Sequence, residues 1–187
     1  VVREDLGVFA HEHPEMAADG GFRLRFTFPQ SGEYTLFVDM APKGAGGQVI
    51  PVRMKVGGKK AERFVIGAEK LTGETASGSL RVAFAQSEFA AGKTLRMACL
   101  VRDAKSGALV NDVQPYLGAL GHLILVHEDG ETFVHSHPDE LDPKAGKDGH
   151  LAFLARFPKP GRYRGWVQIQ RNGVVETGPF TVAAGGK

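Results

Sequence analysis

The feature that most constrains this chain is that it repeats itself. Val2-Arg3-Glu4-Asp5 through Phe9-Ala10-His11-Glu12-His13-Pro14 matches Val126-His127-Glu128-Asp129 through Phe133-Val134-His135-Ser136-His137-Pro138, without a gap, at a constant offset of 124. Phe28-Pro29-Gln30-Ser31-Gly32-Glu33-Tyr34 then answers Phe157-Pro158-Lys159-Pro160-Gly161-Arg162-Tyr163 at offset 129, and Pro51 to Lys59 answers Pro179 to Lys187 at offset 128. Self-similarity of this length and order identifies architecture before local propensity does. Lys187 falls where Lys59 closes the first unit, whereas Val1 falls at the equivalent of Leu125. The expectation is a partial first unit over 1–67, its front half missing and once preceded by a matching segment, and a complete second unit over 68–187.

Within each unit the apolar residues alternate, which is the mark of half-buried strands. Phe22, Leu24, Phe26 and Phe28 lead through Pro29-Gln30-Ser31-Gly32 to Tyr34, Leu36, Val38 and Met40, a pattern that predicts a hairpin. Its copy predicts another, from Leu151, Phe153 and Phe157 through Pro158-Lys159-Pro160-Gly161 to Tyr163, Gly165, Val167 and Ile169. Leu80-Val82-Phe84, Leu95-Met97-Cys99-Val101 and Leu120 to Val126 supply further strands, and Glu62 to Lys70 is the best helix candidate. With 25 Gly and 10 Pro among 187 residues, short strands and turns fit better than helices. The fold class expected is all-β, an antiparallel immunoglobulin-like or cupredoxin-like sandwich with one complete unit and a partial repeat.

The chemistry concentrates in Gly121 to Pro138. Asp129-Gly130 between two alternating apolar runs predicts a two-residue type I′ turn. Counting outward pairs Val126 with Phe133, Ile124 with His135 and His122 with His137. Residues two apart share a face, and opposed Cβ atoms lie about 4.5–5.5 Å apart, so the imidazoles of His122, His135 and His137 would meet as an open three-histidine metal site. A three-residue turn with a bulge would instead bring in His127. The repeat favours His122, because His135 and His137 recur as His11 and His13 while His127 is matched by Arg3. His11 and His13 are read as a second, incomplete site. Imidazoles suit copper or zinc, must be deprotonated to bind, and should release the ion below about pH 6. Asp139, Glu140 and Asp142 follow as candidates for a fourth ligand or for an acceptor that orients an imidazole. Met16 is a thioether near the first doublet, whereas Met40, Met54, Met97 and Cys99 read as packing residues and His150 as a surface residue.

Other classes are set aside. With 23 Lys and Arg against 21 Asp and Glu, the net charge of +2 gives no footprint for nucleic acid or anionic membrane. One cysteine excludes an intrachain disulfide, a zinc ribbon and a CxxC site. No apolar run reaches the ~20 residues of a membrane-spanning helix. No nucleotide-binding glycine loop, GxSxG or HExxH is present, so no enzyme is expected, a metal-dependent one ranking last.

Gln114-Pro115-Tyr116-Leu117-Gly118-Ala119-Leu120-Gly121-His122-Leu123, with the Phe133 to Pro138 and Phe157 to Tyr163 segments, resembles a group of exported bacterial β-sandwich proteins and lipoproteins. The resemblance covers roughly residues 76–187 and, in part, 1–59. It implies a periplasmic, secreted or cell-surface location with signal or anchor removed, a link to heavy-metal handling, copper above all, and no catalytic activity. The function expected is an extracytoplasmic metal-binding protein using His122, His135 and His137, with His11 and His13 as the second site. The rival is a structural or interaction module whose histidines close a hydrogen-bond network. A first unit without its front half would also leave strand edges open to another chain or to a homo-oligomer.

Overall fold

The computed structural model describes residues 1–58, 65–139 and 141–185; Lys59, Glu140, Lys187 and the first part of the helix candidate Glu62 to Lys70 lie outside them. The described residues are all-β, and residues 65–70 of the candidate are not helical. The chain divides into two compact units, Val1–Val65 and Ile66–Lys187. In chain order the first unit holds β1 (Val2–Arg3), β2 (Glu15–Met16), β3 (Phe22–Arg23), β4 (Gly32–Met40) and β5 (Gln48–Val56). The second holds β6 (Thr72–Glu74), β7 (Leu80–Phe84), β8 (Thr94–Asp103), β9 (His122–His127), β10 (Phe133–Ser136), β11 (His150–Arg156), β12 (Gly161–Arg171) and β13 (Val174–Ala184).

The second unit is a two-layer antiparallel sandwich. One sheet runs β11-β8-β7-β6 and the other β10-β9-β12-β13. Period-two alternation sends Met97, Cys99 and Val101 of β8 inward to meet Leu123 and Leu125 of β9 and Tyr163, Val167 and Ile169 of β12, all fully buried. Cys99 packs as the small core residue its parity predicts, and burial pushes its thiol up to about 12. Glycines let the layers close. A Cβ on Gly165 would collide with the Phe180 ring, and one on Gly178 would lie 2.7 Å from Val82. The order places β9, β12 and β13 as the C, F and G strands of an immunoglobulin-type sandwich, with β8 and β11 as B and E.

The repeated Phe-Pro-x-x-Gly-x-Tyr segment does not make a hairpin in either unit. β11 pairs with β8 while β12 pairs with β9 and β13, so the segment carries the chain from one sheet to the other. Tyr163 fixes the corner. Its hydroxyl donates to the Lys159 carbonyl at 2.7 Å and its ring meets Phe157 edge-on at 5.1 Å, as in a tyrosine corner. Tyr34 repeats the device, donating to Gln30 O at 2.7 Å with Phe28 at 4.8 Å. Alternation predicts a strand but not its partner, which is why the hairpin reading fails.

The first unit is a three-stranded sheet in the order β1-β4-β5 and a separate β2-β3 pair. The expected strand from Phe22 to Phe28 shrinks to β3. Its counterpart β11 is held by β8, and the described residues of this unit hold no equivalent of β8. The rest of the repeat is structural as well as sequential. Arg3 pairs with Tyr34 and Tyr34 with Met54, as His127 pairs with Tyr163 and Tyr163 with Val182. Met40 and Met54, expected in packing roles, are 36% and 38% exposed.

Candidate metal centre

The β9–β10 register is Val126↔Phe133, Leu125↔Val134, Ile124↔His135 and Leu123↔Ser136. The turn that sets it differs from a two-residue type I′ turn. Gly130 N–H donates to His127 C=O at 2.8 Å, which puts Glu128 and Asp129 at the centre, and only Gly130 takes a positive φ, at 74°. The first unit makes the same turn, with Leu6 N–H donating to Arg3 C=O at 2.7 Å and Leu6 at φ 55°.

Asp129 holds this turn. Its carboxylate accepts from Glu131 N at 2.9 Å, Thr132 N at 3.0 Å and Thr132 Oγ1 at 3.0 Å, and from Lys159 Nζ. Burial works to raise its pKa, but the Lys159 ammonium and these donors outweigh burial and hold the carboxyl well below the usual range. In the first unit Asp5 is held instead by Arg3, whose Nε donates at 2.7 Å. The acidic position is kept while its basic partner moves from the position of His127 to that of Gln30.

His127 is therefore spoken for. Its Nδ1 accepts from Asp129 N at 3.1 Å and its Nε2 lies 3.2 Å from the Pro160 carbonyl. Nδ1 also lies 3.1 Å from Asp129 Oδ1. With Leu123 and Leu125, His127 lies on the core side of β9. His122, Ile124 and Val126 take the opposite side, and all three are buried.

On that outer side the three expected imidazoles converge. The ring centroids of His122 and His135 are 5.6 Å apart, those of His122 and His137 4.9 Å, and those of His135 and His137 4.7 Å. His122 and His135 each offer a ring nitrogen within 4.8 Å of the other. Three imidazoles on one tetrahedral ion, with metal–nitrogen bonds of about 2.0–2.1 Å, place their centroids roughly 5 Å apart. His122 and His135 fit an ion of that kind at their ring nitrogens, and His137 fits it at its ring centroid. Exposure is graded, from His122 at 0% through half-buried His135 to exposed His137, so solvent reaches the cluster from the His137 end.

Alternation in β9 and β10 brings these residues together, but their surroundings come from elsewhere. Gln168 of β12 lies opposite His122, and Trp166 lies opposite Ile124. The Tyr116 ring stands edge-on to His122 at 5.8 Å and 90°. A tight turn presents it: Tyr116 N–H donates to Ala119 C=O at 2.8 Å and Ala119 N–H to Tyr116 C=O at 3.1 Å, with Leu117 at φ 47° and Gly118 at φ 84°. Positive φ at both central residues is the type I′ geometry, and Leu at the first is strained. The signal for this turn was the Leu-Gly pair, which lacks the Asn or Asp usual there. Arg164 shares the outer side opposite Val126. Its guanidinium lies 5.9 Å from the Trp166 ring centroid, and burial pushes its pKa down.

The acids after the doublet do other work. Asp139 Oδ1 accepts from Leu141 N at 3.1 Å. Asp142 does orient an imidazole, but that of His150, at 3.0 Å, while also accepting from Arg96 at 2.5 Å and Lys144 N at 2.9 Å. His150, expected at the surface, is half-buried in this cluster. Glu140 lies outside the described residues. In the first unit the His11 and His13 rings meet edge-on at 5.3 Å and 72°, and Met16 is 74% exposed.

A family model described as a domain of unknown function (DUF8832) matches residues 74–186, more than half of the chain. The match takes in every strand from β7 to β13, and nothing in it points to catalysis. No curated protein matches the sequence.

Proposed function

We propose that this chain, which belongs to the DUF8832 family, is a non-enzymatic metal-binding protein that holds copper or zinc on His122, His135 and His137. The observation that carries the reading is the mutual approach of the three rings, at 4.7 to 5.6 Å between centroids, across a hairpin whose register is locked independently by Asp129. Neutral imidazoles alone leave the ion's charge uncompensated and one tetrahedral position open, which suits an ion that is taken up and passed on. An extracytoplasmic setting in heavy-metal handling is part of the same proposal. It rests on the Tyr-Leu-Gly-Ala-Leu-Gly-His and His-Ser-His-Pro pattern, Tyr116 to His122 and His135 to Pro138.

The rival, a structural or interaction module whose histidines close a hydrogen-bond network, draws on one observation: His122 is completely buried at 0% exposure, as a structural histidine would be. Titration calorimetry with Zn(II) and Cu(II) separates the two. The metal reading expects uptake of one ion at this cluster, weakened at least 100-fold by His135→Ala with His137→Ala. The structural reading expects no tight uptake, or uptake that the double variant leaves intact.

A further inference from the structure

The ladder between β9 and β12 is interrupted beside the histidine cluster, and the segment that leaves it there brings Tyr116 back to the cluster. His122 lies opposite Gln168, while two residues further along β12 Gln170 lies opposite Gln114. Seven residues, 115–121, therefore stand where β12 has only Ile169. Extra residues in a ladder gather next to functional sites, where they re-aim a side chain. Both ends of this excursion are fastened. Gln114 N–H donates to Gln170 C=O at 2.8 Å, and Gln114 Oε1 accepts from Gly173 N at 2.7 Å. Leu120 packs on the core, and Gly121 rejoins β12 so closely that a Cβ there would lie 3.1 Å from the Gln168 carbonyl oxygen. Between these ends Leu117 holds a positive φ of 47°, a conformation that persists only where the surroundings over-determine it.

The excursion sets the Tyr116 ring perpendicular to His122, at 90°, while His135 lies nearly parallel to it, at 28°. His122 is completely buried and His137 is exposed, so the cluster is closed at the end where Tyr116 stands and open at the other. A four-coordinate ion needs one ligand beyond three imidazoles, and the open end admits it. A six-coordinate ion needs three, and the one opposite His137 lies beside His122 and His135, away from the open end. The ring separations select in the same direction. Right angles between the imidazoles would bring their centroids to about 4.5 Å, closer than any of the observed 4.7, 4.9 and 5.6 Å. The donor type does not discriminate, because imidazole suits zinc and nickel alike. We infer, on the metal reading proposed above, that Tyr116 makes this centre selective for ions that take four ligands, Zn(II) over Ni(II), by filling the side on which a six-coordinate ion would carry water.

Competition for Zn(II) and for Ni(II) against a chromophoric chelator, with the full chain and its Tyr116 variants, tests this. The wild type should hold Zn(II) at least about 10-fold more tightly than Ni(II), and Tyr116→Ala should bring the two within about 3-fold by admitting Ni(II) with its waters. The ratio is the informative quantity, since a merely loosened site weakens both ions together. Tyr116→Phe should keep the wild-type ratio, because the bulk of the ring and not its phenol oxygen excludes the water. Tyr116→Leu, shorter than the ring yet apolar, should fall on the side of Tyr116→Ala and serves where that chain does not fold. Co(II) supplies a spectroscopic signature: its visible absorption, intense in a four-coordinate shell, should stay strong in wild type and Tyr116→Phe and weaken in Tyr116→Ala. Equal retention of Zn(II) and Ni(II) by the wild type overturns the proposal, as does a ratio that Tyr116→Ala and Tyr116→Leu leave intact. So does a Tyr116→Phe chain that behaves like Tyr116→Ala, which would make the phenol oxygen a ligand. In each of these cases, Zn(II) uptake that still depends on His135 and His137 leaves the metal reading standing, whereas no uptake at all removes both.

Discussion

Removing the Asp129 carboxylate should loosen the hairpin that carries two of the three histidines. Asp129 is 26% exposed at its side chain and accepts from two backbone N–H groups, the Thr132 hydroxyl and Lys159. Hydrogen bonds to a charged acceptor contribute about 1.5–3 kcal/mol each when desolvated. Here Glu131 N is near solvent and water replaces part of its bond, and the partly exposed Lys159 pair adds about 0–1 kcal/mol. Asp129→Ala should therefore cost about 2–3 kcal/mol. For a cooperative unit of this size, roughly 3–5 °C of Tm per kcal/mol gives a fall of about 6–15 °C by differential scanning calorimetry at pH 7. The acid limb provides a second reading. The folded-state pKa of Asp129 is depressed, so its contribution is fully present above the ordinary carboxylate value near 4 and is lost as pH falls from there towards the folded value. The wild type should lose stability more steeply than Asp129→Asn below about pH 4. A variant melting within 2 °C of wild type at pH 7, or one with the same acid dependence, would refute the assignment of Asp129 as the lock.

His127→Ala should leave metal stoichiometry and affinity unchanged, because its ring lies on the core side of β9 with one nitrogen against Asp129 N and the other against the Pro160 carbonyl, while lowering stability by about 1–2 kcal/mol in denaturant titrations; a large loss of affinity would return His127 to the ligand set. Gly165→Ala should destabilise the second unit by about 1–3 kcal/mol through overpacking against Phe180, read as a lower midpoint at unchanged m-value. An unshifted midpoint would mean that the two layers close less tightly than described.

Sequence pattern alone made the β9–β10 register legible, because Ile124 and His135 must share a side once the alternation is aligned on Asp129-Gly130. The turn was less legible. Asp-Gly fits a two-residue type I′ turn equally well, and the side-chain bonds that decide otherwise involve Lys159, a residue far along the chain. The Phe-Pro-x-x-Gly-x-Tyr corners were misread for a related reason. Each flanking strand looks the same whether its neighbour in sequence is also its neighbour in the sheet, and only the core decides. His127 and His150 seemed to lack roles because their partners, the Pro160 carbonyl and the Asp142 carboxylate, are set by loop geometry that carries no periodic signal. Tyr116 and Gln168 reach His122 from segments separated from it by turns and a sheet pairing.

On the proposed reading, His122, His135 and His137 hold one ion together. X-ray absorption at the metal edge of the protein loaded with one equivalent of Zn(II), for wild type and for His122→Ala, His135→Ala and His137→Ala singly, tests it most directly. Three imidazole nitrogens at about 2.0–2.1 Å are expected in the wild type, with the loss of one imidazole in each variant. A wild-type shell with fewer than two imidazoles, or one that none of the three substitutions alters, would contradict that reading.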